Sequence, residues 1–139
     1  MDEMVQALGQ REWLAWMWRP LVWLCAAYLL ALGALMVLRP KIVHPFLDGF
    51  VRSRRINFLE AALRSLAGLA FMAVSPEMRL QSFFFWFGAV LAASGLLMVF
   101  LYDQHKRYAA LVVPFARRAL PAMGVCALAF AALIVWALR

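Results

Sequence analysis

The sequence is poor in charged residues and in cysteine. Only 15% of its 139 residues are charged, whereas a soluble domain carries about a quarter charged residues. Two cysteines are too few to build a disulfide framework. The chain also lacks zinc-ligand spacing, a glycine-rich phosphate loop and a nucleophile elbow. These absences argue against a soluble domain, and they leave no motif from which a reaction, a metal site or a cofactor is predicted.

Apolar residues dominate instead, at 67% of the chain with a mean hydropathy of +0.82. Three uncharged stretches are each close to the length of about 20 residues that crosses a bilayer core. They are 21–38, 80–102 and 119–138. A fourth stretch, 56–75, has this length but contains Glu60 and Arg64, so a re-entrant or interfacial helix is its alternative. We predict an all-α, multi-pass membrane protein with four transmembrane helices in a single membrane domain, 1–139.

Basic residues are distributed unequally between the two sides of this predicted bundle. The long connections, 39–55 and 103–118, lie on one side and carry nine basic residues, against four on the side of the termini. The positive-inside rule places the nine in the cytoplasm, so both termini should lie on the non-cytoplasmic side of a cell (inner) membrane. The six tryptophans fall near the side of the termini, as expected for interfacial aromatic rings. The acidic start does not resemble a signal peptide, and we expect 1–19 to be an outer interfacial segment.

Both long connections contain an amphipathic helical stripe. In the first, Val43, Phe46 and Leu47 begin an i, i+3, i+4 pattern, and the second repeats it more weakly. The spans are therefore predicted to form two tandem hairpins, each closed by an amphipathic cytoplasmic connection. Basic residues in these connections are expected to contact anionic lipid headgroups, either as ordinary anchors or as a site for a specific lipid or polyanion. They are Arg52, Arg54, Arg55, Lys106, Arg107, Arg117 and Arg118.

The two predicted hairpins resemble each other, and their spans carry small residues at helical spacing. At an offset of 62 residues, the run that starts at Gly33 matches the run that starts at Gly95, which is compatible with an internal duplication. Small residues allow helices to approach closely in lipid. Such faces are expected in the second span, at Ala61, Ser65 and Gly68, and in the third span, at Gly88, Ala92 and Gly95.

The second span also carries a polar face. Asn57, Glu60 and Arg64 stand at i, i+3 and i+7 and so share one side of a helix, with the charges near mid-membrane. Charged residues at that depth are costly and are by default candidates for a functional site. Three roles remain open: a structural ion pair or snorkelling arginine, a docking site for a partner's polar group, and a site for a small ligand or proton.

Asn57 and Glu60 in a four-span chain are similar to the Asn-x-x-Glu pattern of the membrane-associated proteins of glutathione and eicosanoid metabolism. The likeness covers those two residues and the number of spans. This chain has no arginine within its third span and no proline directly after Glu60, where bacterial members often have one. We therefore do not assign the sequence to that family.

The function expected from these features is that of a small accessory or assembly subunit without chemistry of its own. Its partners would be other membrane subunits or further copies of the chain, together with membrane lipids. The alternative is a self-contained small oligomer that binds or acts on a lipid or amphipathic molecule through Glu60 and Arg64. An ion or proton conductor is a weaker hypothesis, because the spans contain one acid beside a compensating arginine. No nucleic-acid partner is expected.

Overall fold

The structure is a computed structural model that describes the backbone of residues 2–139 and the side chains of residues 12–48 and 53–139. Over residues 2–139 the chain folds into helices joined by short connections, with no strand, and 94% of it is helical. The helices are α1 (Asp2–Leu38), α2 (Pro40–Arg52), α3 (Arg54–Val74), α4 (Gln81–Phe100) and α5 (Tyr102–Ala137). A single 3-10 turn, Ser75–Glu77, follows α3. The all-α prediction is confirmed.

Four of the helical segments are long and apolar enough to cross a membrane, as the sequence predicts. They are Glu12–Leu38, Arg54–Glu77, Gln81–Phe100 and Tyr102–Ala137. The segment with the charged pair is continuous: α3 has 21 residues, which corresponds to roughly 31 Å and so to a full bilayer core. Its two charges therefore do not interrupt the helix.

Two of the helices extend well beyond their predicted spans. The predicted interfacial segment and the first span form one helix, α1, with Pro20 inside it. The second amphipathic connection is helical, as its stripe indicates, and it continues into the fourth span as α5. Pro114 and Pro121 lie inside α5 on either side of the predicted junction. The first connection, in contrast, is set off as α2 by non-helical backbone at Arg39 and Ser53.

The closest helix pairs are α3 with α4 and α1 with α5. Helix α1 also contacts α3, whereas α4 and α5 touch at few points. The predicted hairpins pair α1 with α3 and α4 with α5, so the tightest packing lies between the hairpins rather than within them.

Glycine positions explain this pairing. A Cβ atom added at Gly68 of α3 would lie 2.5 Å from the Gly88 carbonyl oxygen and 2.5 Å from the Ala92 nitrogen of α4. Likewise, a Cβ at Gly33 of α1 would lie 2.9 Å from the carbonyl oxygen of Gly124 in α5. In lipid, where the hydrophobic effect does not drive helices together, such close backbone contact is a main source of association.

The exchanged packing favours the internal duplication. The helix breaks at Arg39 (φ −141°, ψ 61°) and Leu101 (φ −112°, ψ 38°) have similar backbone angles and are 62 residues apart, as are Gly33 and Gly95. The first span of each repeat packs on the second span of the other, as α1 on α5 and as α4 on α3. The correspondence is partial, because α1 contacts α3 whereas the equivalent pair, α4 and α5, touches at few points.

The larger apolar core lies in the half of the bundle near the 3-10 turn. Its members from all four long helices include Val22, Phe71, Phe84 and Ile134, each 2% exposed or less. The Phe87 ring packs on Phe130 of α5 at 4.8 Å between centroids and thereby links α4 to α5. A smaller core of Met36, Val43 and Leu120 joins α1, α2 and α5 near the other end.

Candidate functional site

Asn57 does not take part in the Glu60–Arg64 pair and instead contributes to helix packing. The residue is 4% exposed, and its Nδ2 donates a 3.3 Å hydrogen bond to the carbonyl oxygen of Met98 in α4. Because a buried amide must find partners, this contact is expected to hold the start of α3 against the end of α4. Asn57 is therefore a packing residue of the α3–α4 interface in this structure.

Glu60 and Arg64 form an ion pair one helical turn apart on α3. Arg64 Nη2 donates to Glu60 Oε1, and the side chains are 41% exposed for Arg64 and 17% exposed for Glu60. The Tyr28 side chain of α1 interacts electrostatically with both charged side chains. The pair thus lies near the contact between α1 and α3, with the Glu60 side chain better covered than the Arg64 side chain.

The depth of the pair makes its exposure unusual. At 1.5 Å per residue, Arg64 lies roughly 15 Å along the helix from Arg54 and roughly 20 Å from Glu77, the two ends of this span. On the insertion scale with the lowest penalties, an arginine at the centre of a bilayer costs about 2.5 kcal/mol of free energy. Pairing with Glu60 lowers this cost, and the guanidinium has five N–H donors of which the Glu60 contact uses one. Chemically, the remaining donors can bind a carboxylate, a phosphate or a carbonyl oxygen.

At the α2 end of the bundle, two of the predicted lipid-contacting arginines have partners within the protein. Arg117 of α5 pairs with Asp48 of α2, and the Arg54 guanidinium lies 5.4 Å from the centre of the Tyr102 ring. These contacts join helices across the end of the bundle. The other described members of the set are exposed at the surface: Arg55, Lys106, Arg107 and Arg118. The side chain of Arg52 lies outside the described residues.

The opposite end contains a polar cluster that the sequence patterns did not predict. Arg19 Nη1 donates to Glu77 Oε2 at 3.0 Å, and its Nη2 donates to the Leu138 carbonyl oxygen at 2.7 Å. The Arg79 backbone N–H donates to the Ala137 carbonyl oxygen at 2.9 Å. One arginine thus ties α1 to the turn after α3 and to the end of α5. This cluster could have been predicted from the opposite charges of Arg19 and Glu77, which lie at the same predicted membrane surface.

Arg19→Met is expected to lower the free energy of unfolding by about 1.5 kcal/mol, because it removes a charged hydrogen bond to a partly buried carbonyl as well as the ion pair. Glu77→Gln removes the ion pair alone and should cost less than about 1 kcal/mol. Reversible unfolding in mixed detergent micelles measures both. Equal losses in the two variants would mean that the hydrogen bond from Arg19 to the Leu138 carbonyl oxygen adds nothing to stability.

Among the described side chains, no group of three or more histidine, cysteine, aspartate or glutamate residues could hold a metal ion. Cys25 and Cys126 are free thiols, with Cys126 exposed on α5. The site that remains is the Glu60–Arg64 pair together with the basic surface at the α2 end.

Fold and site together define a small helical protein with four potential membrane spans and an ion pair within the second. Comparison with known proteins finds no matching family model, no similar curated protein and no similar solved structure. The functional proposal therefore depends on the residues of this chain alone.

Proposed function

We propose that this protein is a non-catalytic accessory or assembly subunit that packs against a larger membrane complex. The observation that carries the proposal is the 41% exposure of the Arg64 side chain in the middle of a membrane span. Without a further partner, part of the side chain of a charged residue would lie against hydrocarbon. A partner helix that covers Arg64 removes this cost.

The chemistry of the pair describes the partner. Glu60 already accepts from Arg64 and is the better covered of the two. The N–H donors of Arg64 that Glu60 does not use therefore need an acceptor, which is a carboxylate or a backbone carbonyl of a partner span at the same depth. A partner carboxylate would add to specificity, because the same surface would reject a span that carries a base.

The surroundings of the pair fit helix docking. Leu63, one helical turn from Glu60 on α3, is 58% exposed. An apolar surface with a single charged contact is what a membrane-embedded interface requires, since the apolar part packs and the polar part sets the register.

The experiment is extraction at native expression level in a mild detergent, followed by measurement of the mass and composition of the particle. We expect a particle much larger than this chain that contains other subunits in a fixed ratio. Glu60→Leu with Arg64→Leu should release a folded chain from that particle. Arg55→Leu, which removes an exposed arginine at the start of the same helix, is the matched control and should leave the particle intact.

A homogeneous small oligomer with co-purifying lipid would overturn the accessory role and favour direct action on an amphipathic molecule. A large particle that survives the double substitution would show that the complex forms through another surface, and it would exclude Arg64 as the docking residue.

A further inference from the structure

An apolar groove lies where α1 meets α2, and Tyr28, one of its lining residues, also interacts with the Glu60–Arg64 pair. Its volume is about 310 Å³, within the lower range of ligand sites in proteins. One wall belongs to α1 and the other to α2. The lining residues are Tyr28, Ala31, Leu32, Leu35, Ile42, Val43 and Phe46.

The groove is part of a defined fold and not a gap between loosely packed helices. Val43 at its base is 3% exposed and packs with Met36 and Leu120 in the smaller core. Leu35 and Ile42, on opposite walls, are 41% and 54% exposed. The base is thus fixed by the core, while the walls stay open towards the membrane. The result is a groove of apolar side chains beside a helix end.

Two basic residues stand at the junction of the two walls. The Arg39 N–H donates to the Leu35 carbonyl oxygen at 2.8 Å, and the Ile42 N–H donates to the Arg39 carbonyl oxygen at 3.0 Å. Arg39 is therefore held by its backbone between both walls. Lys41 follows in the first turn of α2, and both side chains are exposed. A positive charge beside an apolar groove complements a ligand with an anionic head and a hydrocarbon chain.

The equivalent place in the second repeat differs in charge. At the offset of 62 residues, Arg39 corresponds to Leu101 and Lys41 corresponds to Asp103. The backbone break is shared, but the cationic pair stands at the break in the first repeat only. The second repeat carries its basic pair further along, at Lys106 and Arg107, so only the first break places two cations at the junction of the groove walls.

We propose that the groove between α1 and α2 binds one acyl chain of an anionic phospholipid, with the phosphate against Arg39 and Lys41. The acyl chain lies along Ala31, Leu35 and Ile42, whose apolar side chains take the place of neighbouring lipid molecules. The two cations supply the preference for an anionic over a zwitterionic head. This site depends on Arg39 and Lys41, whereas the proposed accessory role depends on Glu60 and Arg64, so substitutions test the two separately.

The test is photolabelling of the full chain in phosphatidylcholine vesicles that contain a trace of phospholipid with a diazirine in one acyl chain. The probe is phosphatidylglycerol in one sample and phosphatidylcholine in the other. We expect peptides with Ala31, Leu35 and Ile42 to be labelled preferentially by phosphatidylglycerol, by about fivefold for each basic residue in contact. Arg39→Gln with Lys41→Gln should abolish that preference, whereas Lys106→Gln with Arg107→Gln, its matched control, should retain it.

A second pair of variants tests the groove itself. Ala31→Trp with Leu35→Trp fills the groove and should reduce labelling at Ile42 severalfold. Val90→Trp with Leu96→Trp, at exposed positions of α4, should not change it. Equal labelling by the two headgroups in the unchanged protein, or labelling that follows exposure over the whole apolar surface, would overturn the proposal.

Discussion

Gly68→Val is expected to disrupt the packing of α3 against α4 and to lower the free energy of unfolding by about 3 kcal/mol, the upper part of the range for overpacked interiors. The two atoms nearest to an added Cβ, the Gly88 carbonyl oxygen and the Ala92 nitrogen at 2.5 Å, both belong to the backbone. No side-chain rotation can relieve such contacts, so the helices must move apart. Reversible unfolding in mixed micelles measures the loss.

Ala62→Val is the matched control for this prediction. Ala62 lies on the same helix but is exposed, so the added methyl groups meet lipid and the change should stay within about 0.5 kcal/mol. The variant also controls for the lower helix propensity of valine. If both variants unfolded with the same free energy, the α3–α4 contact would not depend on the absence of a side chain at Gly68.

The helices themselves were predictable because span formation depends on local composition. A run of about 20 apolar residues has one low-energy state in a bilayer, since every backbone group must then be bonded within the helix. The run 56–75 shows the limit of this rule. Its two charges lower the apolar signal, yet they stand at i and i+4 and pair on α3, so the helix tolerates them.

Helix pairing was predictable only in part. The small faces at Ala61, Ser65 and Gly68 and at Gly88, Ala92 and Gly95 were identified from spacing, and the structure brings these two faces together. The contact between Gly33 and Gly124 was missed. Gly124 begins a stripe of small residues with Ala127 and Ala131 that was overlooked, whereas Gly33 has no such stripe, so its partner becomes evident only from the docked helices. Chain order accounts for the contact of α3 with α4, which are joined by a short turn, but not for that of α1 with α5.

The candidate site divided in a way that helical periodicity cannot predict. Asn57 and Arg64 share one side of α3, but that side meets two neighbours. Asn57 contacts Met98 of α4, while Glu60 and Arg64 lie near Tyr28 of α1. A helical wheel gives the direction of a side chain from its own axis and says nothing of which neighbour lies there. The role of a polar residue in a bundle therefore requires the packing of the whole bundle.

Glu60→Ala is expected to be more damaging than the loss of both charges. The single substitution leaves Arg64 in mid-membrane without its carboxylate and should lower the free energy of unfolding by about 2.5 kcal/mol. Glu60→Leu with Arg64→Leu removes the charges together and should unfold with a free energy close to that of the unchanged protein. The same micelle titration measures both. A single variant as stable as the double variant would show that Arg64 finds solvent or headgroups without Glu60.

Exchange of the two residues, Glu60→Arg with Arg64→Glu, then separates folding from assembly. The exchanged pair stays neutral and one turn apart, so the isolated chain should keep most of its stability. Its outward edge now offers a carboxylate where the partner expects a guanidinium, so the chain should no longer enter the larger particle. Since like charges or unmatched acceptors in low dielectric cost several kcal/mol, this loss should be complete at native expression level. An exchanged variant that folds and still assembles would mean that the pair serves only α3.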